Sequence, residues 1–131
     1  MDPKDLKYNP THEWVGIVED CGEKIAVVGI TDFALEQLTD LVYMALPDVG
    51  KQVRAGEEFG EVESVKAVSP LYSPVDGEVV AVHSELVDNL ERLGTDPFGE
   101  GWIMKVRLSS SANLDGLLDR DAYLKQCSEA H

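Results

Sequence analysis

The apolar residues of this chain fall into short runs rich in Val and Ile, separated by clusters of Gly, Pro, Asp and Glu. Residues 13–18 and 24–30 are two such runs. Between them, Glu19-Asp20-Cys21-Gly22-Glu23 reads as a turn, so the pair predicts a hairpin. Gly29-Ile30-Thr31-Asp32 breaks the strand pattern, and Asp32 is placed to N-cap a short helix over 33–38. Residues 41–46 form an apolar run stopped by Pro47, which predicts a buried strand. Further strands are expected at 52–54, 58–65, 67–72 and 78–83, then a helical turn at 84–89, a surface loop at 89–101 and a strand at 102–108. From Ser111 the spacing changes. Leu114, Leu117, Leu118, Ala122 and Leu124 predict a C-terminal helical segment over about 111–127. Many short strands with frequent turn signals indicate a mainly β fold, a small barrel or sandwich with short helices and a C-terminal helix. A length of 131 residues fits one domain, 1–131.

Composition narrows the function classes. The formal charge of −14 would repel phosphate backbones and anionic lipid, which disfavours nucleic acid and membrane surfaces as partners. No run approaches the length of a transmembrane helix, and Met1 to Lys7 lacks the apolar stretch of a secretory leader, so the expected compartment is the cytoplasm. Cys21 and Cys127 are far apart with no CxxC spacing, and His12, His83 and His131 are scattered, so neither dithiol nor metal chemistry is expected. Cys127 is expected near the frayed end of the last helix. Trp14 and Trp102 are candidate core residues. No nucleophile–His–carboxylate set or Gly-rich phosphate loop supports a hydrolase.

One internal near-repeat stands out. Pro47-Asp48-Val49-Gly50-Lys51-Gln52-Val53 and Ser73-Pro74-Val75-Asp76-Gly77-Glu78-Val79-Val80 are both Pro/Asp/Gly turns leading into β-branched runs, and Lys66 lies between them. Two similar hairpin halves can pair about a pseudo-two-fold axis and close a flattened barrel. That places Lys66 at a hairpin tip, flanked by Ser64, Val65, Ala67 and Val68. A lysine so presented suits covalent modification by an enzyme that reads the shape of the turn. A plain solvated lysine has the same sequence appearance.

These blocks carry a family resemblance that covers nearly the whole chain. Thr11-His12-Glu13-Trp14-Val15, Val28-Gly29-Ile30-Thr31-Asp32, Asp40-Leu41-Val42-Tyr43, Leu46-Pro47-Asp48-Val49-Gly50, Glu63-Ser64-Val65-Lys66-Ala67, Tyr72-Ser73-Pro74-Val75-Asp76-Gly77-Glu78-Val79 and Asp96-Pro97-Phe98-Gly99-Glu100-Gly101-Trp102 resemble the H-protein family of the glycine cleavage system. The resemblance implies a lipoyl/biotinyl-type fold of two quasi-symmetric sheets and a monomer. It also implies lipoate amide-linked to Lys66, with Glu63, Ser64, Val65, Ala67 and Gly77 read by a lipoyl-attaching enzyme. Such a chain would be a carrier without catalysis of its own. It would take an aminomethyl group from the pyridoxal-phosphate glycine decarboxylase to the tetrahydrofolate-dependent aminomethyltransferase, and dihydrolipoyl dehydrogenase would reoxidise it.

The flanking residues separate this family from its neighbours. Biotinyl domains place Met on both sides of the lysine, where this chain has Val65 and Ala67. Lipoyl domains of 2-oxo acid dehydrogenases place Asp before the lysine and lack the His-Glu-Trp block. Lipoyl relay to other carriers and an unmodified β adaptor are the alternatives. The resemblance further implies that Glu13, with Thr11 beside it, belongs to a water-poor cleft that shelters the amine at the end of the arm. Two positions depart from the family pattern. Pro70 follows Ser69 where an Asp is common, and Gln37 stands where some members have His. His12 is expected to have a structural role near Trp14.

Overall fold

The computed structural model describes residues 3–9, 11–20, 22–38, 40–108 and 117–129. Its strands are β1 (Lys7–Tyr8), β2 (Glu13–Asp20), β3 (Glu23–Ile30), β4 (Leu41–Ala45), β5 (Gln52–Val53), β6 (Glu58–Ser64), β7 (Val68–Tyr72), β8 (Gly77–Val82) and β9 (Trp102–Leu108). Its helices are α1 (Asp32–Leu38), α2 (Glu91–Thr95) and α3 (Arg120–Glu129), with 3-10 turns at Pro3–Asp5 and Ser84–Asp88. The strands form two antiparallel sheets. One is six-stranded, in the order β1-β2-β3-β9-β8-β5, and the other three-stranded, β4-β6-β7. The mainly β architecture expected from the spacing of strands and turns is therefore present, with its short helices and C-terminal helix.

The two halves of the near-repeat lie side by side. Gly50 N–H donates to the Val79 carbonyl at 2.7 Å and Val79 N–H to the Lys51 carbonyl at 2.9 Å, and Gln52 and Val53 pair with Glu78 and Gly77. Gly77 is required there. A Cβ at that position would run into the Arg107 carbonyl oxygen and come within 2.6 Å of Val106 Cγ1 on β9.

Period-2 alternation of β2 and β3 feeds two cores. Val15, Ala26, Val28 and Ile30 point between the sheets, into a cluster with Met44, Phe59, Val62, Leu71, Val79, Ile103 and Met104. Trp14 and Val27 point to the outer face of the six-stranded sheet, where Leu6, Tyr8, Tyr123 and Cys127 cover them. Burial on both faces explains why 25–30 is an unbroken buried run. Trp14 packs so closely on β3 that a Cβ on Gly29 would sit 2.5 Å from its ring.

Several expectations need correction. The helix α1 is capped by Thr31, whose Oγ1 accepts from Ala34 N–H at 3.2 Å, rather than by Asp32, which is already the first helical residue. The stretch 89–101 is not all loop. It contains α2, which buries Leu93 in the main core. Residues 117–119 are not helical, because Leu118 pairs with Tyr8 as an isolated bridge, and α3 starts at Arg120. Residues 109–116, and with them Leu114, lie outside the described residues, as does Cys21. The buried face of α3 is Tyr123 and Cys127, one turn apart, while Leu124 is exposed. Cys127 is thus a packed residue, not one at a frayed end. Trp14 is fully buried, but Trp102 sits half-buried at the rim of the outer cluster, stacked on His83 with Lys105 Nζ 4.8 Å from its ring centre.

Candidate functional site

The β6–β7 hairpin turns at Val65-Lys66-Ala67, and all three residues are exposed, Val65 to 64%. The buried Ser64 organises the turn. Its backbone N–H donates to the Ala67 carbonyl at 2.8 Å. Its Oγ accepts from Lys66 N–H at 3.2 Å and Ala67 N–H at 3.1 Å, and donates to the Ala67 carbonyl at 3.3 Å. The hydroxyl thereby satisfies backbone donors that a tight turn would leave to water. Val65 N–H donates to the Asp40 carbonyl at 3.0 Å, which ties the tip to the connection between α1 and β4. Glu63 lies one residue further back, half-buried between Tyr43 on β4 and Val68 on β7. Lys66, Glu63, Ser64, Val65 and Ala67 are therefore one structural unit. Gly77 is not part of it, since it lies in the other sheet between β5 and β9.

Beside the hairpin is a cleft of about 240 Å³. Thr11, His12 and Glu13 form one wall, Ala34, Gln37 and Leu38 of α1 a second, and Ser69, Pro70, Leu71 and Tyr72 of β7 a third, with Ile30 and Val62 contributing apolar surface. Ser69 is three residues from Lys66, roughly 10 Å along an extended strand. The two positions that depart from the family pattern, Pro70 and Gln37, both line this cleft, as do both predicted cleft residues, Glu13 and Thr11.

Glu13 is only 1% exposed. Its carboxyl accepts from Thr11 Oγ1, from Asn9 Nδ2 at 3.1 Å and from the backbone N–H of Tyr72. Burial pushes its pKa up to about 7, against the opposing pull of those donors. The loop that presents it is closed by three backbone bonds: His12 N–H to the Asn9 carbonyl at 2.9 Å, Asn9 N–H to the Glu13 carbonyl at 2.8 Å, and Thr31 N–H to the His12 carbonyl at 3.0 Å. His12 has φ of +80°, the one left-handed non-glycine conformation among the described residues. Its side chain meets Tyr123 rather than the expected Trp14, at 2.7 Å from Nδ1 to the hydroxyl.

The sequence did not single out Asn9 or Tyr72. Asn9-Pro10 is a turn signal that marks the loop, whereas Tyr72 contributes a backbone group that no side-chain pattern reports. A second hollow of about 310 Å³, lined by Leu35, Asp40, Leu41, Leu90, Glu91 and Gly94, lies between α1 and α2. Its two carboxyls, Asp40 and Glu91, are both exposed, unlike that of Glu13.

A family model described as the glycine cleavage H-protein matches residues 6–130. The chain is 62% identical to the glycine cleavage system H protein of Rhodopirellula baltica over 129 residues, 98% of this chain and 97% of the relative. It is 50% identical to the protein of the same description from Rubrobacter xylanophilus over 127 residues, 97% of this chain and 95% of the relative. Among solved structures, the crystal structure of a glycine cleavage system H protein from Mycobacterium marinum superposes with a TM-score of 0.86 at 40% identity, covering 97% of this chain and 99% of that one.

Proposed function

The chain belongs to the glycine cleavage H-protein family, and from that membership we propose that it is a lipoyl carrier, modified on Lys66. In this reading it shuttles the aminomethyl group of glycine from the pyridoxal-phosphate decarboxylase to the tetrahydrofolate-dependent aminomethyltransferase, and dihydrolipoyl dehydrogenase then reoxidises it. The lipoyl group supplies the dithiolane that takes up and gives up the cargo. Everything else is the task of this chain's residues.

Lys66 supplies the amine for the amide link, on a turn whose exposed neighbours Val65 and Ala67 leave it open to a lipoyl-attaching enzyme. The cleft suits both ends of a loaded arm. Ile30, Ala34, Leu38, Val62 and Leu71 offer apolar surface to its hydrocarbon, and Glu13 offers a carboxyl to its terminal amine. With no cation beside it, Glu13 holds its proton up to about pH 7 and so avoids burying a bare charge. An ammonium in the cleft favours the carboxylate and gains a charge-assisted hydrogen bond. Thr11, Asn9 and the Tyr72 N–H orient that carboxyl. Exclusion of water around the amine slows its hydrolysis. Tethering replaces free diffusion of the cargo with a high effective concentration at each enzyme visited.

The observation that carries this reading is the pairing of one exposed lysine on a pinned hairpin with a buried carboxyl in a cleft beside the same hairpin. Intact mass of protein from lipoate-replete cells tests it. One lipoyl adduct is expected, absent in Lys66→Ala. A folded parent chain without the adduct would sink the carrier reading.

A further inference from the structure

We propose that Tyr123, which lies outside the cleft, is a positioning residue that holds two of the cleft walls in register. Its hydroxyl meets His12 Nδ1 at 2.7 Å and Thr31 Oγ1 at 2.6 Å. His12 belongs to the loop that carries Thr11 and Glu13. Thr31 caps α1, which carries Ala34, Gln37 and Leu38. One oxygen on the C-terminal helix therefore ties the Glu13 wall to the α1 wall.

The local chemistry makes the tie specific. Tyr123 is fully buried, stacked on Tyr8 with ring centres 4.7 Å apart. That stack needs only the ring. A buried hydroxyl is costly without partners, and this one finds a partner on each of two cleft walls, beside the Cys127 thiol of its own helix. Thr31 Oγ1 already accepts from Ala34 N–H, so a run that uses each proton once goes from Ala34 to Thr31, from Thr31 to Tyr123 and from Tyr123 to His12 Nδ1. Burial lowers the pKa of His12 and raises that of Tyr123 well above its ordinary value, and both shifts keep the groups in the protonation states this run needs. The other charged or titratable groups around the hydroxyl are Asp32 on α1, paired with Arg120 on α3, and the Cys127 thiol on α3. The left-handed backbone of His12 is the counterpart of the tie. A non-glycine residue held at φ of +80° is kept there by its surroundings, and the Tyr123 bond is part of them.

The inference rests on the reading of this cleft as the shelter of the arm, and its test separates the two. In the unmodified, isotopically labelled chain, the Glu13 carboxyl carbon is titrated by NMR in the parent, in Tyr123→Phe and in His12→Asn. Asn tolerates the left-handed backbone, so His12→Asn keeps the loop conformation while taking the ring nitrogen away from Tyr123. With cooperative melting retained, the midpoint is expected to fall in both variants by roughly one pH unit, as water reaches the carboxyl. In lipoylated, aminomethyl-loaded chains, both variants are expected to release formaldehyde severalfold faster than the parent. Adding Glu13→Ala to Tyr123→Phe is expected to give no further increase. A parental midpoint in either folded variant overturns the proposal, and if Tyr123→Phe does not fold, His12→Asn alone decides. If the midpoints fall but Glu13→Ala leaves release unchanged, the positioning of Glu13 stands and the shelter reading fails.

Discussion

Glu13 keeps its proton to about pH 7 because the desolvation cost of a buried carboxylate outweighs the donors arranged around it. This has a sign for stability. In the unfolded chain the same carboxyl ionises near its ordinary 4.5. Between that value and 7 the native state binds more protons than the unfolded state, so stability falls as pH rises through this window. The contribution is whole below pH 4.5 and lost above 7. At about 1.4 kcal/mol per pH unit, it is on the order of 3 kcal/mol. Glu13→Gln is expected to be less sensitive to pH across this window, so that urea midpoints at pH 5 and pH 8 differ less in the variant than in the parent. An equal difference in both would show that Glu13 is not the group responsible. Pro70 has a part in the same environment. Tyr72 N–H, on the free edge of β7, is given to Glu13, and two residues earlier along that edge Pro70 presents no N–H at all. A side-chain comparison sees there only a lost acceptor, and for this reason the sequence flags Pro70 as a departure without showing what it does. Glu13 and Thr11 are legible as cleft residues by family likeness. The burial of Glu13 is not, since a carboxylate at the start of a strand also suits solvent.

In the proposed function the β6–β7 hairpin is the element on which attachment depends, and Ser64 holds its turn. Ser64→Ala removes the three side-chain bonds at the turn, each worth about 0.5–1.5 kcal/mol. The backbone bond from Ser64 N–H to the Ala67 carbonyl remains. The variant is expected to stay folded and to accept lipoate severalfold more slowly, measured as the rate of mass gain with a lipoyl-attaching enzyme. An unchanged rate would mean that the enzyme tolerates a loose turn. Strands were well marked in the sequence because Val/Ile runs between Gly and Pro are strong local signals, and β2, β3, β6 and β9 lie where expected. Helices were poorly marked. α2 is too short to show a period, and on α3 the leucines dominate any apolar count although Tyr123 and Cys127 face inward. Their burial is set by the outer face of β2 and β3, a tertiary partner that a local window does not contain.

At the scale of the molecule, the six-stranded sheet has a core on each face, and α3 closes the outer one. A chain ending at Asp119 exposes Tyr8, Trp14 and Val27. Loss of a large buried aromatic such as Tyr123 costs ~3–5 kcal/mol. The truncated chain is therefore expected to unfold at lower urea with Trp14 emission shifted to the red, and unchanged emission would place the outer cluster outside the cooperative unit. The sheet edges also bear on how such a chain behaves in a crowd. An open strand edge invites another copy to add to the sheet. Here the six-stranded sheet ends in β1 and β5, each two residues long. The three-stranded sheet ends in β4, whose register shifts between Leu41 and Tyr43, and in β7, interrupted by Pro70. Among the described strands, no border offers a long, regular row of donors and acceptors. With a charge of −14 adding mutual repulsion, self-templated polymerisation through these edges is discouraged, the edge of β7 that leads away from Lys66 included.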